Sequence, residues 1–94
     1  MQDKTKEEAK KIHKNNGQNI RILRTQRKRS MTKFAGMFNL TRGTISQIEN
    51  GLNGPTFINL RRYADCLGVT IDDLTSPVLK ADTLTSYLHK RKKI

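Results

Sequence analysis

Residues 31–51, MTKFAGMFNLTRGTISQIENG, decide the fold. Phe34 and Phe38 lie four apart, and Ile45 and Ile48 lie three apart. Both spacings place side chains on one face of a helix, so the stretch reads as two short helices joined by a tight turn. Asn39 stands at the turn, and asparagine tolerates a left-handed backbone better than most residues. Leu40 plugs the corner, and Thr41 is a good N-cap for the second helix. Ala35 faces that corner, where a larger side chain would push the helices apart. Gly51 closes the second helix, as a glycine just past a last turn commonly does.

The same residues carry a resemblance. Ala35, Asn39-Leu40-Thr41 and Thr44-Ile45-Ser46-Gln47-Ile48-Glu49-Asn50-Gly51 resemble the helix-turn-helix of the phage repressor and Cro (lambda-repressor-like) family. The similarity continues through Pro55-Thr56-Phe57, Ala64 and Leu67-Gly68-Val69-Thr70-Ile71-Asp72-Asp73-Leu74, over about residues 18–76 without a gap. It implies an all-α fold: a compact bundle of about five helices around a central helix-turn-helix, with room for extra helices at both ends. The chain then divides into a basic N-terminal arm (1–17), the DNA-binding domain (18–76) and, where the resemblance stops, a basic C-terminal tail or helix (77–94) that is a candidate either for dimerisation or for packing on its own subunit.

Charge agrees with that division. The 94 residues carry 19 Lys and Arg against 8 Asp and Glu, a formal net charge of +11. Residues 18–51 hold seven basic and one acidic side chain, a net +6, and residues 77–94 hold five and one, a net +4. Residues 52–76, which supply packing helices, come to −1. A basic patch on the same segment as the motif favours polyanions, chiefly through counterion release from phosphates.

The resemblance also implies which residues meet DNA. With Ile45 and Ile48 turned to the core, Arg42, Gly43, Thr44, Ser46 and Gln47 face outward on the second, recognition helix. Such a helix enters the major groove, where base edges carry a distinct donor and acceptor pattern. Arg42 is suited to guanine O6 and N7, Gln47 to adenine N6 and N7, and Thr44 to a thymine methyl or a phosphate. Gly43 costs roughly 1 kcal/mol of helix stability relative to Ala, tolerable where the helix approaches the groove floor closely. Lys28, Arg29, Ser30, Lys33, Thr41, Asn50 and Asn53 are the expected phosphate contacts, with Arg27 beside them. Arg24 and Glu49 match family positions that form an ion pair between the first and the recognition helix.

Two departures from the family pattern stand just before the motif. Lys28-Arg29 replaces a glycine and an apolar residue, and Met31 replaces a phosphate-binding glutamine. Ser30 can still cap the next helix, with Thr32 as the alternative cap.

The remaining elements follow from local patterns. Thr5 and Glu8 form a capping-box pattern ahead of an exposed helix over Lys6–Lys14, and Asn15-Asn16-Gly17 is expected to break it. His13 has no partner in sequence and reads as solvated. Ile20 and Leu23 turn a helix over Gln18–Lys28 inward. Phe57, Leu60, Ala64 and Leu67, with Tyr63 beside them, form a stripe that packs beneath the motif. Thr70 with Asp73 starts a last short helix. Asp82 is suited to cap a helix over Thr83–Lys92 whose stripe is Leu84, Tyr87 and Leu88.

Several function classes are disfavoured. There is no long apolar run to span a membrane and no apolar segment after the N-terminal charges to act as a secretory signal. The single cysteine, Cys66, cannot form an internal disulfide, which fits a reducing cytosol. Two histidines and a lone cysteine give no triad, metal cluster or phosphate loop, so the chain is read as no enzyme. No cofactor, metal or small-molecule ligand is expected. The reading is a cytoplasmic, nucleoid-associated repressor that binds a near-palindromic site in double-stranded DNA as a homodimer. The alternative is an antitoxin-like module with the same fold whose main partner is a protein.

Overall fold

The computed structural model describes residues 2–77 and residue 79. Five α-helices follow one another within them: α1 (Gln2–Gln26), α2 (Met31–Met37), α3 (Arg42–Glu49), α4 (Phe57–Leu67) and α5 (Ile71–Thr75). The expected helix over Thr83–Lys92, with its Leu84, Tyr87 and Leu88 stripe, lies outside the described residues.

Each helix after the first begins on a hydroxyl. Ser30, Thr41, Thr56 and Thr70 accept hydrogen bonds from the backbone N–H groups of Lys33, Thr44, Asn59 and Asp73. Each cap satisfies one of the donors that a helix start leaves without a partner. Ser30, not Thr32, caps α2, so that helix begins at Met31. Asp73 returns the favour to the Thr70 N–H and completes a capping box. Between α2 and α3, Asn39 takes the left-handed conformation at φ +57°, and Leu40 N–H reaches back to the Ala35 carbonyl at 2.9 Å.

The core joins all five helices. Ile20 and Leu23 from α1 meet Phe34, Ala35 and Phe38 around the turn, Ile45 and Ile48 from α3, Tyr63, Ala64 and Leu67 from α4, and Leu74 from α5. Burying each of the larger side chains contributes roughly 1.5–3 kcal/mol. Phe34, Phe38 and Tyr63 form an aromatic knot, with ring centroids 4.7 to 5.5 Å apart and two edge-on pairs. Tyr63, placed beside the α4 stripe from sequence, is its centre. Phe57, placed within that stripe, is instead 63% exposed. The buried face is Tyr63, Ala64 and Leu67, with Leu60 half-buried, and the first turn of α4 runs out past the edge of the core.

The largest correction concerns the N-terminal segment. Asn15-Asn16-Gly17 does not break a helix: α1 runs unbroken through it for 25 residues. Tertiary contacts outweigh the poor local propensity. Asn19 Nδ2 donates to the carbonyls of Leu74 and Ser76, each at 2.8 Å, and Asn15 Nδ2 donates to those of Thr75 and Ser76 at 3.3 and 3.1 Å. One helical turn apart on α1, the two amides satisfy the carbonyls that the end of α5 leaves open. Gly17 is buried where α1 crosses the last turn of α3. A Cβ there would overlap the Ile48 carbonyl oxygen and come within 2.8 Å of that of Glu49. His13 is half-buried rather than solvated, its ring lying over Gly54.

Candidate nucleic-acid interface

The recognition helix is held from behind and open in front. Ile45 and Ile48 are buried, while Arg42, Gly43 and Gln47 are exposed and Thr44 and Ser46 half-exposed. The five residues expected to read bases therefore share one outward surface. Gln47 is oriented: its Oε1 accepts from Asn53 Nδ2 at 2.7 Å. That bond leaves the Gln47 amide NH2 pointing to solvent as a donor. Thr41 Oγ1 caps the helix and also lies 2.9 Å from Thr44 Oγ1, which fixes both hydroxyls at its N-terminal end. Asn50 ends α3 and leans back on Ser46 Oγ at 3.4 Å. Gly51 follows at φ +76°, in the left-handed region where a side chain is strained.

An ion pair fixes the helix against α1. Arg24 Nε donates to Glu49 Oε2 at 2.6 Å, and Nη2 donates to Oε1 at 3.0 Å. The fork-to-fork geometry resists rotation of one helix against the other. Both side chains are buried. Arg24 Nη1 reaches a third element, the Arg29 carbonyl, at 2.5 Å. One guanidinium thus ties α1, the turn before α2 and the recognition helix together.

The basic turn before α2 splits into different roles. Lys28 takes φ +57° at the end of α1, with its N–H bonded to Thr25 O at 2.9 Å and the Arg29 N–H to Arg24 O at 3.1 Å. This is a left-handed helix terminus, and it supplies the physical meaning of the family's usual glycine at this point. Lys28 is exposed, as are Ser30 and Lys33 on the first turn of α2. Arg27 is buried and donates from Nε to the Leu67 carbonyl at 2.6 Å, closing the end of α4, so its guanidinium is directed inward rather than towards a phosphate. Arg29 is half-buried, and its Nη1 lies 2.8 Å from Cys66 Sγ and 3.4 Å from Met37 Sδ. Burial pushes the Cys66 thiol up, and the Arg29 cation opposes part of that shift.

Sequence reasoning missed what α1 does beside this surface. Lys14 packs its backbone on Gly51, and His13 packs on Gly54, so the middle of α1 lies against the loop that leaves the recognition helix. The one available signal was Gly17, which reads as a helix breaker in isolation and as a close-approach residue in the fold. Among the described residues no group of three or more His, Cys, Asp or Glu is placed to hold a metal ion. No helix among them is long and apolar enough to cross a membrane.

Two short capped helices, an Asn-mediated turn and a locked outward face are the geometry of a helix-turn-helix. A helix-turn-helix family model matches residues 20–74, more than half of the chain. The chain belongs to the Cro/C1-type helix-turn-helix family. Comparison with curated proteins and with solved structures finds no match. Membership makes the chain a DNA-binding helix-turn-helix regulator, and the matched span takes in all of α2 to α4 and all but the last residue of α5.

Proposed function

We propose that this regulator is a repressor that binds a near-palindromic operator in double-stranded DNA as a homodimer, each copy placing α3 in the major groove. The observation that carries the reading is the exposed polar face of α3, held rigid by the Arg24–Glu49 pair. Arg42 and Gln47 carry base recognition, with Gly43, Thr44 and Ser46 lining the approach. Lys28, Ser30, Lys33, Thr41, Asn50 and Asn53 surround that face and hold phosphates, the Asn53 amide serving both a phosphate and Gln47. Arg29 adds positive charge from its place against Cys66, without a freely extended guanidinium.

Pairing needs an apolar surface. The C-terminal segment expected to provide one lies outside the described residues, apart from Pro77 and Leu79. Within them, Leu52, Phe57 and Ile58 are 73%, 63% and 72% exposed on the loop and first turn that follow the recognition helix. Two such patches in contact would set two recognition helices in successive major grooves, about 34 Å apart. The same patch is the feature that favours the second reading, an antitoxin-like module with a protein partner.

Selection of bound duplexes from a random pool at fixed salt tests the reading. A two-fold symmetric consensus is the expected result, and Arg42→Ala should relax preference at one position of each half-site, at a cost of about 1–3 kcal/mol. Equal retention of all duplexes would overturn the repressor reading and leave the protein-partner one. The working site of such a repressor is the cytoplasm, on the nucleoid, with no cofactor and no small-molecule ligand required.

A further inference from the structure

The N-terminal half of α1 carries lysines in register. Lys6, Lys10 and Lys14 are four residues apart, so at 3.6 residues per turn they form one stripe that drifts slowly round the helix. Gly17 and His13 lie within the same sector, and these two face the end of α3 and its following loop. The stripe therefore leaves the domain on the side of the recognition helix. All three lysines are exposed, and none is in an ion pair among the described residues. Glu7 borders the stripe, whereas Glu8 lies on the opposite side of the helix.

What distinguishes this stripe from an ordinary solvated face is how it is mounted. Gly17 admits α1 to the carbonyls of Ile48 and Glu49, Gly51 takes the Lys14 backbone, and Gly54 takes the His13 ring. Three close approaches within one short seam fix the direction of α1 relative to α3. The helix itself is continuous with the part that supplies Ile20, Leu23 and Arg24 to the core and the ion pair. Lys14 is thus set beside the loop that follows α3, and Lys10 and Lys6 continue its line one and two turns further along the same helix.

We infer that Lys6, Lys10 and Lys14 form a rigid phosphate-binding ladder that extends the DNA contact beyond the helix-turn-helix. The inference rests on the DNA-binding reading above. From Lys6 to Lys14 the helix rises about 12 Å, which matches three to four nucleotides at about 3.4 Å each. Lysine suits this work because a point charge on a flexible stem neutralises phosphate without requiring a base sequence.

The test compares the full chain with Lys6→Gln/Lys10→Gln/Lys14→Gln on its selected duplex across a salt series. Each phosphate contact adds about 0.9 to the slope of log affinity against log salt. The variant's slope should fall by up to about 2.7, so that between 50 and 200 mM salt it loses about 40-fold less affinity than the parent chain. Hydroxyl-radical protection should shorten by about three to four nucleotides, with base preference unchanged. Unaltered slope and protection, with specific binding intact, would overturn the ladder and leave the DNA-binding reading standing. A loss that tracks weakened self-association, with the slope per bound copy unchanged, would also overturn it. Failure of the parent chain to bind DNA at all would remove the underlying reading, and the ladder with it.

Discussion

Gly17→Ala sets helix propensity directly against tertiary packing. In an isolated helix the change should stabilise by about 1 kcal/mol, since alanine loses less backbone freedom than glycine. In the fold, the new methyl would overlap the Ile48 carbonyl oxygen and lie 2.8 Å from the Glu49 carbonyl oxygen and 2.9 Å from its carbon. Overpacking typically costs about 1–3 kcal/mol, and sometimes more. The upper end applies here, because the obstacles are backbone atoms that cannot swing aside. Relief requires α1 to move off α3, which lengthens the bonds between Arg24 and Glu49. The net expectation is a loss of about 2 kcal/mol once the propensity gain is subtracted, or a melting temperature lower by about 8–16 °C. Gly36→Ala is the matched control: nothing lies within 4 Å of its added methyl, so it should gain up to about 1 kcal/mol. Urea and thermal unfolding followed by far-UV circular dichroism measure both. If Gly17→Ala gains stability alongside Gly36→Ala, α1 does not cross the end of the recognition helix as described.

Four other substitutions test separate parts of the fold. Lys28→Gly removes a side chain from a left-handed position and should raise stability by about 1 kcal/mol, while reducing the salt slope of DNA binding by about 0.9; an unchanged melting point would show that the turn carries no strain. Arg24→Met strands the buried Glu49 carboxylate and should cost about 3–5 kcal/mol. Adding Glu49→Leu should restore much of that, and a single-variant loss below about 1 kcal/mol would mean that the pair is solvated. Tyr63→Phe removes a buried hydroxyl that has no hydrogen-bond partner among the described residues, so denaturation should show stability unchanged or higher by about 1 kcal/mol. Burial raises the Tyr63 phenol, with Arg62 opposing. A raised acid keeps its proton longer in the folded state, so stability present below the ordinary tyrosine value near 10 is lost as pH climbs through the folded one. Tyr63→Phe should reduce that alkaline loss, and the part that Cys66 contributes would remain.

The helix-turn-helix was legible because its determinants are local. Phe34, Phe38, Ile45 and Ile48 announce themselves by spacing, Ser30 and Thr41 by their place before apolar runs, and Asn39 by its tolerance of the turn. The exposed faces of Arg42 and Gln47 follow from the same periodicity. Arg27 and Arg29 were not separable by sequence, since two neighbouring arginines look alike until one finds the Leu67 carbonyl and the other Cys66. Phe57 misled because helical spacing does not say where the core ends.

By itself, then, the sequence determined helices α2 to α5, the hydroxyls that cap them and the outward face of α3, because each depends on residues within one or two turns of one another. Only the tertiary structure decided that Asn15, Asn16 and Gly17 lie inside a continuous helix. Amides that compete with the backbone locally become caps for α5 some 55 to 61 residues away, and a glycine that weakens a helix locally becomes the only residue able to fit against two carbonyl groups. Long-range partners of this kind leave no periodic trace, so their energetic sign appears only once the chain has closed on itself.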